Sequence, residues 1–294
     1  MKNEILLVLS ADVYFDQANS HFKDEHSLEN LELLPDIANT VSHVLNSHCK
    51  PKICWLVSNN DIILKNFIQK KDDVMLNNDE IGLHCLISKM FDISSKSKLE
   101  IERYIENAVR MMNNYGLIPL SARMAGCSMN NNLLAALQKY GIKVDSSALP
   151  KRKRDETISF DWSVTESTPY FPSVTDYRIT DSDKTKCHSI LEVPLTTIST
   201  KAPYDKESIF RYLDLCFKPK VIADEITNIV KEKEIIVTII HPMQLLKQEN
   251  KNELFGTGID DFKTNLIHLR DSCEKFGRKI KCVSFMDLYK LFTN

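Results

Sequence analysis

Short apolar runs alternate along this chain with longer amphipathic stretches, and that alternation restricts its fold more than any other feature. A brief run rich in Ile, Leu and Val suits a strand buried on both faces, whereas apolar residues recurring every three or four positions suit a helix packed against it. Repetition of the two predicts βα units around a mainly parallel sheet, an α/β fold. Roughly seven or eight strands are legible by this criterion. They are Ile5–Ser10, Lys52–Ser58, Glu80–Leu86, Pro119–Met124, Ile142–Ser146, Ile190–Pro194, Ile235–Ile240 and Lys281–Ser284. The helices expected between them are Leu31–His48, Asp61–Lys70, Lys98–Tyr115, Asn130–Tyr140, Lys206–Phe217, Val221–Glu232 and Asp260–Phe276. Gly141 and Gly277 stand where a left-handed residue would end the fourth and the last of these helices.

The 294 residues fit one α/β barrel, which commonly occupies about 250. Apolar residues at 43% and charged residues at 27% are the balance of a chain that can bury a large core. Thirty-eight basic and forty acidic residues leave a net charge of −2, so there is no general field for nucleic acid or anionic lipid, and a small-molecule substrate fits better. The apolar run Ile5–Ser10 is too short for a signal-peptide core, which makes the cytoplasm the expected compartment, and no run is long enough to span a bilayer. Eight scattered cysteines without a Cys-x-x-Cys pair are expected to be buried thiols rather than disulfides. Residues 150–189 read as an irregular excursion from the barrel, carrying the basic run Lys151-Arg152-Lys153-Arg154 and the aromatics Trp162, Tyr170, Phe171 and Tyr177.

Five segments, in order, carry candidate chemistry. Asp12 follows the first strand in Ser10-Ala11-Asp12-Val13-Tyr14. Lys52-Ile53-Cys54-Trp55-Leu56-Val57 forms the second strand. His84 ends Asn78-Asp79-Glu80-Ile81-Gly82-Leu83-His84, Arg123 opens Arg123-Met124-Ala125-Gly126-Cys127, and His241 closes Ile239-Ile240-His241-Pro242. Asp12, His84 and His241 all fall at predicted C-terminal strand ends, the face on which barrel active sites assemble. In order and spacing the five segments resemble the motif blocks of the polysaccharide deacetylases, the NodB-homology enzymes of carbohydrate esterase family four. The resemblance implies a distorted (β/α)7-type barrel over the whole of 1–294, acting as an amide hydrolase on a non-peptide C–N bond and removing an N-acetyl or other N-acyl group from an amino sugar or glycan precursor.

By the same resemblance Asp12 is the general base, His241 the general acid and Arg123 the residue that orients Asp12. The family holds a zinc-like divalent metal with one aspartate and two histidines. Only His84 matches a ligand directly, with Asp12 as a further possible one. Val13 or Tyr14 stands in place of the second carboxylate, and Ser88 in place of the second histidine. One neutral imidazole does not hold a catalytic zinc, which takes about three protein ligands. Asp16, His21, Cys85, Ser88 and His188 are the residues that could approach the strand ends and rebuild a site, although strand alternation turns Cys85 away from His84. Two alternatives follow: a metal-independent variant in which hydrogen-bond donors stabilise the oxyanion, and a catalytically inactive barrel that binds carbohydrate or serves as a scaffold. Each residue also has a plain reading. Asp12 could cap the next segment, His84 and His241 could simply end strands, and Arg123 could be a structural partner of Asp12 or Asp145. The aromatics of the excursion could stack on sugar rings, and packing beneath the excursion is the simpler use for them.

Overall fold

The computed structural model describes residues 3–14, 29–76, 79–86, 93–154, 160–246, 254–256 and 258–294. Its centre is a parallel sheet built from β1 (Glu4–Val13), β2 (Cys54–Ser58), β3 (Glu80–Cys85), β4 (Ser121–Met124), β5 (Val144–Asp145), β8 (Leu191–Glu192), β11 (Ile235–Ile240) and β12 (Lys279–Cys282). The strands run in the spatial order β11-β1-β2-β3-β4-β5-β8, and this curled seven-strand path with outer helices is the expected (β/α)7 barrel. β12 pairs with the first half of β1, at Glu4–Leu7, while β2 pairs with the second half, at Ser10–Val13. Helices α1 (Glu29–Glu32), α2 (Leu34–Leu45), α3 (Asp61–Val74), α4 (Lys98–Asn114), α5 (Asn131–Lys139), α6 (Pro219–Glu232), α7 (Ile259–Lys275) and α8 (Phe285–Thr293) follow the strands.

Local chemistry explains the boundaries. Asn60 caps α3 by accepting from the backbone of Ile62 and Ile63, and Ser97 with Glu100 forms a capping box that starts α4. Gly141 (φ 93°) and Gly277 (φ 63°) end α5 and α7 as expected, and the N–H of the next residue, Ile142 or Arg278, bonds back to Leu137 or Cys273. The last strand lies two residues earlier than its apolar run suggests, because Ser284 is used as the N-cap of α8.

One expected element is corrected. Lys206–Phe217 is not a helix: Ile209–Tyr212 forms β10, antiparallel to β9 (Thr197–Thr200). Its apolar spacing fits either period, and tertiary hydrogen bonding decides between them. The strands at the two ends of the path, β8 and β11, are bridged by this part of the chain. Leu213 N donates to Thr196 O, Ile239 N to Leu213 O and Leu215 N to Ile239 O, while Thr196 N donates to Val237 O. A helix would leave those barrel-edge groups unpaired in the core.

Among the described residues of 150–189, β6 (Lys153–Arg154) pairs antiparallel with β7 (Phe160–Asp161), two residues from each strand. Trp162 is fully buried, donates to Cys127 O at 2.8 Å and meets Tyr177 edge-on at 4.9 Å, so it packs the excursion onto the barrel. All eight cysteines are free thiols, six of them buried. Among the described residues no helix is long and apolar enough to cross a membrane.

Candidate active site

Parallel register brings the distant motifs together. Ala11 of β1 lies beside Ile240 of β11, so the next residues, Asp12 and His241, meet at one edge. On the other side, Asp12 is opposite Leu56, Ser58 opposite His84, and His84 opposite Arg123. All four side chains line one cavity of about 410 Å³ at the C-terminal ends of the strands. Asp12 stands inside β1 rather than capping a following segment.

Asp12 is 3% exposed, and its two oxygens do different things. Oδ1 accepts from Arg123 Nη1 at 2.6 Å; Oδ2 faces two imidazoles, at 3.7 Å from His84 Nε2 and 3.8 Å from His241 Nε2. Arg123 is itself fixed on three further points, donating to Ser146 O at 2.8 Å, Ser10 Oγ at 3.0 Å and Ser146 Oγ at 3.1 Å. Its planar fork is thereby locked against the carboxylate. Burial alone would raise the Asp12 carboxyl, but Arg123, then His84 and His241, hold it below the ordinary value, so it is an anion at neutral pH.

The imidazoles differ from one another. Burial pushes His84 down to about 4, and it is neutral. His241 is also buried, which lowers its pKa, but the Asp214 carboxylate 2.5 Å from Nδ1 outweighs this and raises it above the ordinary value. Asp214 thus fixes Nδ1 as a donor and leaves Nε2 pointing at Asp12 and the cavity. Asp214 is the residue that sequence reasoning missed. A carboxylate inside the apolar run Leu213-Asp214-Leu215-Cys216 was the available signal, since a fully buried acid requires a partner. Two tyrosines complete the inner wall. Tyr14 stacks on His84 with ring centres 4.8 Å apart and meets His241 edge-on at 6.0 Å, and Tyr212 lies 5.5 Å from His241. Burial raises the Tyr212 phenol well above its usual value, so it stays a neutral hydrogen-bond donor.

The described donors do not fit a catalytic metal. Val13 is buried apolar surface, no group of three His, Cys, Asp or Glu side chains among the described residues is placed to hold an ion, and Asp12 Oδ1 is already spent on Arg123. A metal-bound imidazole ordinarily donates its second N–H to a partner that fixes its orientation, yet His84 Nδ1 is buried with none among the described residues. Of the residues considered for rebuilding a site, Asp16, His21 and Ser88 lie outside the described residues. Cys85 is fully buried outside the cavity, its thiol pushed up to about 12 by burial, and His188 sits beside Pro172.

No family model matches the sequence, and no curated protein does. Solved structures do match. One described as a glycoside hydrolase/deacetylase from Parabacteroides distasonis superposes with a TM-score of 0.68 at 12% identity, covering 99% of this chain and 72% of that one. Another, described as a polysaccharide deacetylase from Mycobacterium smegmatis, gives 0.56 at 11% identity over 98% and 90%. The fold is that of the polysaccharide deacetylases. A Puue allantoinase is similar to the same degree, with a TM-score of 0.56 at 10% identity over 97% of this chain and 89% of that chain. At these identities it is the polysaccharide deacetylase barrel that is shared, and the chemistry rests on this chain's own residues.

Proposed function

We propose that residues 1–294 work as one barrel domain and that the protein is an amide hydrolase, removing an N-acyl group, acetyl in the simplest case, from an amino sugar or glycan precursor. The observation that carries this reading is the single Asp12 carboxylate oxygen placed between two imidazoles of opposite protonation preference in one open cavity. Groups whose surroundings push their pKa values apart are suited to act as base and acid.

In this mechanism Asp12 takes a proton from water as the water oxygen bonds to the acyl carbon. The carbonyl oxygen becomes an oxyanion. Neutral donors around it supply the stabilisation: the phenols of Tyr14 and Tyr212 beside His241, and the imidazole of His84. His241, charged through its contact with Asp214, then gives its Nε2 proton to the nitrogen as the C–N bond breaks, leaving a carboxylic acid and a free amine. No step passes through a metal.

The test is turnover of N-acetylated sugars by purified protein and its variants. Asp12→Asn and His241→Ala should each lower deacylation by about 100-fold or more, the usual scale for a general base or acid. Undiminished activity in either variant overturns its assignment. A second reading, an inactive barrel that binds carbohydrate, is favoured by Val13 and by the Tyr14 ring lying against His84 in place of ligands. Under that reading the wild type binds sugar and shows no turnover.

A further inference from the structure

The end of the barrel opposite the cavity carries a pair of thiols that deacylation does not use. Cys49, in the turn after α2, and Cys282, the last residue of β12, are 233 positions apart in the chain, yet their sulfur atoms lie 3.1 Å from each other. Among the described strands β12 pairs with β1 alone. Its other edge is closed by sulfur: Cys282 N–H donates to Cys49 Sγ, and Lys52 N–H donates to Cys282 Sγ. Sulfur is a weak acceptor, so these bonds add little to the hold on β12. Among the described residues no third His, Cys, Asp or Glu joins the pair to hold a metal.

The two thiols differ in access and in acidity. Cys49 is half-buried between the exposed His48 and Lys50, whereas Cys282 is 6% exposed. The Cys282 thiol donates to Cys49 Sγ and, with the Cys282 N–H, holds the Cys49 thiol below its ordinary pKa against the opposing effect of burial. The same hydrogen bond, then burial, pushes Cys282 up. A thiolate within reach of solvent, backed by a buried second thiol, is the arrangement of a reactive cysteine and its resolving partner. A disulfide holds its sulfurs at about 2.05 Å, so an approach of about 1 Å closes the bond.

We infer that Cys49 and Cys282 form a reversible disulfide, locking the C-terminal β12–α8 segment onto the barrel when the protein meets a small-molecule disulfide such as oxidised glutathione. The Cys49 thiolate attacks one sulfur of the oxidant, whose S–S bond breaks and whose other half leaves as a thiolate. Cys282 then loses its proton as its sulfur attacks Cys49 Sγ, displacing the second glutathione thiolate. The two thiolates take up the two cysteine protons, so two electrons pass from the cysteine pair to the oxidant. The locked segment underlies the site from the opposite face. Lys52 Nζ meets Asp287 of α8 at 2.6 Å, Met286 N donates to Glu80 Oε2 at 2.9 Å, and the buried Phe285 ring lies 6.0 Å from Cζ of Arg123. The bond thereby fixes the floor beneath the arginine that holds Asp12.

The test takes the full-length wild-type chain, reduced and then incubated with oxidised glutathione, against a sample kept in dithiothreitol. Peptide mapping by mass spectrometry without reduction should recover the Cys49 and Cys282 peptides joined to each other. The Tm should rise by about 5 °C or more, because a bond closing so long a loop restricts the unfolded chain, and dithiothreitol should reverse the rise. In Cys282→Ser, Cys49 should stop at the mixed disulfide with glutathione; in Cys49→Ser, Cys282 should stay a free thiol. Neither variant should gain Tm on oxidation, and Cys49→Ser, which keeps the half-buried Cys187, controls for modification elsewhere. Oxidised and reduced wild type are compared directly, so a variant that fails to fold leaves the test intact. Oxidised wild type without the joined peptides, a mixed disulfide that persists at its Cys49, or a joined pair with unchanged Tm overturns the inference.

Discussion

Asp214 shows how one side chain can set the chemistry of another without reaching the substrate. Its carboxylate holds His241 above the ordinary imidazole pKa, so Asp214→Asn should lower the pKa of His241 and move the basic limb of the pH–rate profile to lower pH. A profile with an unmoved limb would show that Asp214 does not control the acid. The wild-type profile is expected to rise at pH values below the ordinary aspartate range, where Asp12 ionises, and to fall above pH 6.5, where His241 loses its proton. His84 affects stability instead. Its folded pKa of about 4 lies below the unfolded value of 6.5, so between them the unfolded chain binds more protons. Stability is therefore fully present above pH 6.5 and is lost as pH falls through this window, by up to about 3 kcal/mol. Urea titrations at pH 7 and pH 4.5 should show this slope in the wild type, and His84→Gln should flatten it.

At the scale of elements, the strands bearing the site are set close by small residues. A methyl group added at Gly82 in β3 would come within 2.5 Å of Ser121 Oγ and 2.8 Å of Ser121 O in β4, and within 2.6 Å of Leu56 in β2. Backbone is among the obstacles, so Gly82→Ala must push the sheet apart and should cost about 1–3 kcal/mol, read as a fall in Tm. The displacement would also move His84 and Arg123, which flank that contact, so activity should fall with stability. Ser97→Ala at the start of α4 is the contrasting case. Its capping box is exposed and remote from the cavity, so a loss of about 1 kcal/mol should leave kcat unchanged. Between β5 and β8, Asp145 and Glu192 are register partners with both carboxyls fully buried and raised by burial, Glu192 well above the usual range. A shared proton lets two such groups sit together without two buried charges.

For the whole molecule, the donor set bears on metal dependence. With no partner for His84 Nδ1 among the described residues and Oδ1 of Asp12 engaged by Arg123, chelator treatment followed by dialysis should change neither the Tm nor any deacylation rate. Elemental analysis of the untreated protein should find well under one equivalent of zinc. A stoichiometric metal, or activity restored only by adding one, would show that residues outside the described segments complete a site. The bridging of β8 to β11 through residues 193–215 gives a second molecule-wide consequence. That segment carries Asp214 and Tyr212, so closing the barrel and completing the acid are one event.

The order of strands and helices, the two glycine stops and the positions of Asp12, His84, Arg123 and His241 were legible in the chain, because each depends on residues near in sequence: an apolar period, a left-handed cap, a polar residue at a strand end. Parallel strands then place such residues side by side with little further specification. What the chain did not disclose depends on partners far along it. Residues 206–217 fit two periods, and pairing with β9 together with hydrogen bonds to Thr196 and Ile239 decides against a helix. With them came Asp214, whose role depends on an imidazole 27 positions away. The stacking of Tyr14 on His84, and the meeting of Arg154 with Arg211 around one cavity, likewise join residues far apart in the chain. Periodicity and local capping fix which elements form, whereas charge pairing, protonation and the far wall of the site depend on which surfaces those elements bring into contact.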